Sequence, residues 1–139
     1  MAGPAPGWWN GYVGTPFRWG GSARDGVSCW GLVCMVLDEV FGVTLPRESD
    51  VEHVVAKTSD GELAAAFKAH ATTVPLGEER AGDLLQMWGV YQGRRVPLHV
   101  GIVTQPGQVL HVEQGTCAVV EDYRRSPRAR WRVIGAWRV

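Results

Sequence analysis

A cysteine stands where a glycine-rich loop runs into an apolar stretch, Gly20-Gly21-Ser22-Ala23-Arg24-Asp25-Gly26-Val27-Ser28-Cys29-Trp30-Gly31-Leu32-Val33, and two histidines, His99 and His111, follow far downstream. Thiol and imidazole together are the parts of nucleophilic acyl transfer. The thiolate attacks a carbonyl, and an imidazole takes the thiol proton and later returns it to the leaving group. A cysteine at a helix N-terminus has the helix dipole and unpaired backbone N–H groups to favour its thiolate. Cys29 is therefore the candidate nucleophile and His99 the candidate base. His111 would hold the base in its working tautomer, and the backbone N–H of Cys29 would donate to the oxyanion.

These side chains need elements to carry them. From 29 to 41 the chain is apolar almost all round (Trp30, Leu32, Val33, Met35, Val36, Leu37, Val40, Phe41), which predicts a centrally buried helix. Ser28 suits its N-cap and Gly42 its end, with Pro46 just beyond. Residues 48–57 and 60–71 read as two more helices, with His53 and His70 as surface or boundary histidines. Residues 8–13 read as a short helix or turn. After Ala81-Gly82-Asp83 the pattern changes to strands, at 84–88, 96–104, 109–113, 117–122 and 131–139. Helices first and a meander of strands afterwards predict an α+β fold, with the cysteine helix packed on a central antiparallel sheet. The chain of 139 residues suits one domain, over 8–139, after a flexible Pro/Gly tail at 1–7.

Strand alternation sets His99, Gly101 and Val103 on one face and Leu98, Val100 and Ile102 on the other. The connection Gln105-Pro106-Gly107-Gln108 signals a turn, and its length decides where His111 goes. A two-residue Pro106-Gly107 turn would pair His111 with Ile102 and separate the histidines. A three- or five-residue loop would pair His111 with Gly101, on the face of His99. Gly101 is then bare because His111 and its neighbour need the room.

Acidic and basic residues balance at 14 each, which gives no reason to expect nucleic acid or a membrane surface as partner. Arg124, Arg125, Arg128, Arg130, Arg132 and Arg138 nevertheless crowd one end, and read as a solvated edge strand with its turn, an anionic polymer or partner protein being the alternative. Cys34 lies about 140° around a helix from Cys29, so the two do not form a redox pair on one face. Cys34 and Cys117 read as small core residues. No secretory signal opens the sequence, and no apolar run approaches the roughly 20 residues that would cross a bilayer.

Tyr12-Val13-Gly14-Thr15-Pro16-Phe17-Arg18-Trp19-Gly20-Gly21, then Gly26-Val27-Ser28-Cys29-Trp30-Gly31-Leu32-Val33, resembles the signature of the NlpC-type cell-wall peptidases, which are papain-like cysteine peptidases. Phe41-Gly42-Val43-Thr44-Leu45-Pro46-Arg47 resembles the segment ending their catalytic helix, and Ala81-Gly82-Asp83-Leu84-Leu85 the entry to their sheet. His99-Val100-Gly101-Ile102-Val103 and Val109-Leu110-His111-Val112 resemble the strands that bear the family's base and its polar orienting residue. The resemblance implies a papain-like NlpC fold and cleavage of amide bonds in peptidoglycan stem peptides, commonly between γ-D-glutamate and the following diamino acid. It implies Cys29, His99 and His111 as the catalytic set, and neither a metal nor an organic cofactor.

The sequence departs from the family beside the nucleophile. Ser28-Cys29-Trp30-Gly31 stands where the family usually has Asp-Cys-Ser-Gly, and Phe17 where it has an aromatic hydroxyl. Phe17, Ser28 and Trp30 thus fall at substrate-binding positions, and Trp19 is a further candidate for the groove. A bulky aromatic after the cysteine is similar to the phage tail and gene-transfer-agent branch. That implies a protein made in the cytoplasm and carried on a virion tail or tail-like particle, with tail proteins as partners, acting in the host periplasm or cell wall. Two other functions fit the same residues: a tail-assembly module with weak or lost catalysis, and a papain-like amidase or acyltransferase with another substrate.

Overall fold

A computed structural model describes residues 4–45, 69, 71–91 and 93–139. The helices expected at 48–57 and 60–71, with His53 and His70, lie outside the described residues apart from Ala69 and Ala71, as do the first three residues of the expected tail. A 3₁₀ turn, Trp8–Gly11, leads to a small hairpin, β1 (Ser22–Ala23) and β2 (Gly26–Val27), and then to helix α1 (Cys29–Phe41). The strands that follow are β3 (Thr72–Val74), β4 (Leu84–Tyr91), β5 (Arg94–Gln105), β6 (Gln108–His111), β7 (Val119–Asp122) and β8 (Val133–Arg138). A short helix, Pro127–Arg130, precedes β8. The architecture is α+β.

Helix α1 starts at the cysteine because Ser28 caps it: the Gly31 backbone N–H donates to Ser28 Oγ at 2.9 Å. It ends at Gly42, whose φ of +68° an L side chain rarely adopts, and whose N–H closes back on the Leu37 carbonyl. Gly31 is bare for a different reason. The Gly21 carbonyl accepts from Ser28 N–H at 2.9 Å, and a Cβ on Gly31 would stand 1.9 Å from that oxygen. Loop and helix start are locked together at this point.

Between these ends Leu32, Val33, Met35, Val36 and Leu37 are buried all round. They meet Leu84, Val100, Ile102, Leu110 and Trp137 on one face of the sheet. Its other face is covered too, with Leu85, Met87, Val103, Val109, Tyr123, Ala129 and Ala136 forming a second cluster. Burying each large aliphatic side chain contributes roughly 1.5–3 kcal/mol, so α1 is fixed chiefly by packing.

The large sheet is antiparallel in the order β3-β8-β4-β5-β6-β7. Strand β8, with which the arginine-rich stretch ends, is therefore interior, which corrects the expected edge strand. The edge beside it is β3, too short to show a period-2 pattern in the sequence. The arginines are not simply solvated either. Arg138 grips Asp83 through two bonds, of 2.8 and 2.9 Å, and Arg124 meets the buried Glu79 at 2.7 Å. Cys34 is buried as expected, but Cys117 is exposed, because its backbone bridges Pro16 while the neighbouring Ala118 takes the interior position.

Replacing Ser28 with alanine removes the acceptor for the Gly31 N–H. The expected loss is about 1 kcal/mol, read as a Tm lower by roughly 2–5 °C. An unchanged Tm would show that the Gly21 loop alone fixes the helix start.

Candidate active site

The turn between β5 and β6 has two residues, since Gln105 pairs with Gln108, and Gly107 has the positive φ of +89° that a Pro-Gly turn of type II needs. Carried through unbroken, that register would set His111 against Ile102. A bulge at Thr104 shifts it by one, so that Val103 pairs with Val109 and Ile102 with Leu110. One step further along this ladder Gly101 lies opposite His111. A Cβ on Gly101 would come within 2.5 Å of Val109 Cγ2 and 3.0 Å of His111 Cβ, so the strand must be bare there. The short turn and the shared face, alternatives in the sequence, coexist because of the bulge.

A second slip sits beside His99. Met87 pairs with His99 but Gly89 pairs with Val96, leaving Pro97 and Leu98 opposite Trp88 alone. Proline has no N–H for a ladder, and a bulge is where an interior strand tolerates it. The Pro97 carbonyl accepts instead from the buried Gln86 Nε2 at 3.0 Å. Gly89 leaves space for the histidine, since a Cβ there would lie 2.9 Å from His99 Cβ.

These slips bring the two imidazoles together. His99 is 7% and His111 1% exposed, and His99 Nε2 lies 2.7 Å from His111 Nδ1. On the far side of its ring, His111 Nε2 is 2.9 Å from Glu121 Oε1. A carboxylate only accepts, so with Glu121 as its partner a neutral His111 would carry its proton on Nε2 and accept at Nδ1. His99 then donates from Nε2, and its Nδ1 is left as the bare, basic nitrogen.

Burial first, and then the neighbouring His111, depress the His99 pKa to about 3, so the ring is neutral near pH 7. His111 is lowered by burial as well, against the opposing pull of Glu121 and Glu113. Burial alone would raise Glu113, but the bidentate Arg132, helped by the two histidines, holds it at about 2.

Cys29 is half-buried at the first position of α1. The chain leading to it is tied to the loop that leaves His111. Phe17 N–H donates to the Thr116 carbonyl and Ala118 N–H to Thr15, while Val27 N–H donates to Pro16 and Arg18 N–H to Val27. The Cys29 helix and the 112–118 loop thus share one frame.

Of the expected binding residues, Phe17 packs edge-on against Trp19 with ring centroids 4.9 Å apart, and Trp19 is 53% exposed. Ser28 and Trp30 are buried, Ser28 as the helix cap and Trp30 within the α1 core. Glu113 and Glu121 were not singled out in the sequence, and Arg132 only as one of the clustered arginines. Glu121 follows from alternation only once His111 is known to pair with Val119, because residues two apart then share a face. Donor atoms of His99, His111 and Glu113 lie within 4.8 Å of one another, a grouping that a metal ion could use. Both oxygens of Glu113 are already engaged by Arg132, which matches the carboxylate to a guanidinium.

Residues 14–138 match the NlpC/P60 family, and the chain belongs to it. It is 30% identical over 100 residues to the gamma-D-glutamyl-L-lysine dipeptidyl-peptidase of Bacillus subtilis, covering 72% of this chain and 28% of that protein. It is 31% identical over 98 residues to the probable endopeptidase NlpC of Escherichia coli, covering 70% of this chain and 53% of that one. The chain therefore spans from about a quarter to about half the length of these relatives. Among solved structures, the NlpC/p60 domain of the peptidoglycan hydrolase SagA superposes with a TM-score of 0.61 at 26% identity, covering 92% of this chain and 90% of that one.

Two measurements follow. Gly101→Ala should lower stability by about 1–3 kcal/mol in denaturant titration, since neither Val109 nor the β6 backbone can step aside freely. An unchanged midpoint would contradict the close approach. For acid, the unfolded His99 takes a proton near its ordinary value of 6.5, whereas the folded one resists until about 3. The unfolded chain binds more protons in between, so stability is complete above about pH 6.5 and falls as pH drops towards 3. Glu113 adds to this lower down, its contribution being present above 4.5 and lost as pH falls through 2. The unfolding midpoint should decline from about pH 7 to pH 5, and His99→Gln should flatten that decline. Parallel profiles would refute the assignment.

Proposed function

We propose that this chain is a cysteine peptidase that hydrolyses an amide bond of a peptidoglycan stem peptide, of the γ-D-glutamyl–diamino acid type. The observation that carries the reading is the polarised chain His99–His111–Glu121, in the same frame as a cysteine at the start of a buried helix. The bare Nδ1 of His99 takes the proton from Cys29 Sγ as the sulfur attacks the carbonyl carbon. A neutral imidazole suits a proton that moves with the attack. The resulting imidazolium protonates the leaving amine, whose C–N bond breaks to give a thioester, and water activated by the same nitrogen releases the acid. The Cys29 N–H, at a helix N-terminus, is the donor for the oxyanion.

Names of relatives support the substrate: one is a gamma-D-glutamyl-L-lysine dipeptidyl-peptidase, another a peptidoglycan hydrolase. Phe17 and the exposed Trp19 beside it offer an aromatic wall to the stem peptide. The proposal extends to delivery by a phage tail or tail-like particle. Its support is the sequence pair Cys29-Trp30, since the Trp30 side chain itself lies in the core.

Mass spectrometry of muropeptides released from purified peptidoglycan is the test, with wild type and Cys29→Ala at equal concentration. New stem-peptide fragments are expected from wild type alone, and their masses identify the bond. Equal release by both proteins, or none from a folded wild type, would overturn the peptidase reading.

A further inference from the structure

Two carboxylates flank the ring of His111. Glu121 Oε1 lies 2.9 Å from Nε2, and Glu113 Oε1 lies 3.9 Å from Nδ1. A neutral imidazole has one N–H and a carboxylate cannot donate, so the acid that captures the proton decides how the His99–His111 bond runs. Capture by Glu121 leaves His111 Nδ1 to accept from His99 and keeps His99 Nδ1 bare. Capture by Glu113 would put the proton on His111 Nδ1. His99 would then accept at Nε2 and carry its own proton on Nδ1, where a base is needed.

Arginine breaks the tie. Arg132 binds Glu113 with one nitrogen to each oxygen, both at 2.8 Å, and Arg128 adds a bond at 3.0 Å. Glu121 has Arg128 at 3.3 Å, a largely exposed side chain and a weak competitor in water. Glu113 is thereby satisfied away from the ring while Glu121 is left facing it. We propose that Glu121 is the positioning residue that sets the tautomer of the histidine pair, and that Arg132 keeps Glu113 from setting the opposite one. Neither belongs to the cysteine, histidine and polar-residue set. Only the catalytic consequence rests on the peptidase reading, because the tautomer is a property of the folded protein itself.

Long-range ¹H–¹⁵N correlation at about pH 7.5 reads the tautomers directly in the labelled protein. In wild type both His99 and His111 should carry their proton on Nε2. In Glu121→Gln the amide can turn its NH₂ towards His111, and signals should move to the Nδ1–H form in both rings, with Glu121→Asp restoring the wild-type pattern in part. Alkylation of Cys29 by iodoacetamide should slow at least tenfold in Glu121→Gln. Nδ1–H on His111 in wild type, or an unmoved tautomer pattern in folded Glu121→Gln, overturns the proposal. Should Glu121→Gln not fold, the wild-type spectrum decides alone. Failure of the peptidase reading looks different: the tautomers behave as stated, but alkylation of Cys29 is indifferent to His99→Ala.

Discussion

A hydrogen bond between two buried imidazoles has a direction, because one ring must give a proton and the other receive it. Much of the sheet around β5 can be understood as what this bond at 2.7 Å requires. The rings must share a face, so the ladder slips at Thr104; they must approach closely, so Gly101 and Gly89 are bare. Pro97 fits the same logic, since the bulge that it occupies lies next to His99 and would be an intolerable gap in a regular interior ladder. On β5 both departures from a regular ladder lie close to the histidine pair.

Charge is organised around the same bond. A neutral histidine pair needs a carboxylate to orient it, but a surplus of negative potential would draw protons onto the rings. Here two glutamates are offset by two arginines within one network. The chain's even balance of acidic and basic residues thus conceals strong local pairing, in which the arginines of the last strand and its approach answer acids from strands and loops that come earlier.

The cysteine helix was legible because every local signal agreed: Ser28 to start it, an apolar run to bury it, Gly42 to stop it. The principal strands were legible by alternation to within a few residues at their ends. Three short elements were not. Thr72–Val74, the hairpin at Ser22–Ala23 and Gly26–Val27, and the single turn Pro127–Arg130 lack the length in which a period can show. The histidines could be picked out by type, but their relation could not, since a one-residue slip moves a side chain to the other face and neither bulge announces its offset. Glu121 and Arg132 were hidden for a related reason. Their meaning comes wholly from strand neighbours that are remote in sequence.

The position of β8 has a consequence for how the molecule comes into being. Its residues are the last of the sheet to leave the ribosome, yet they insert between β3 and β4, which are made much earlier. Until Val133–Arg138 arrives, two strand edges stay open and Asp83 lacks the guanidinium of Arg138. The nascent chain therefore holds the strands of both histidines long before the sheet that contains them is closed, and the strand made last is the one that joins β3 to the rest.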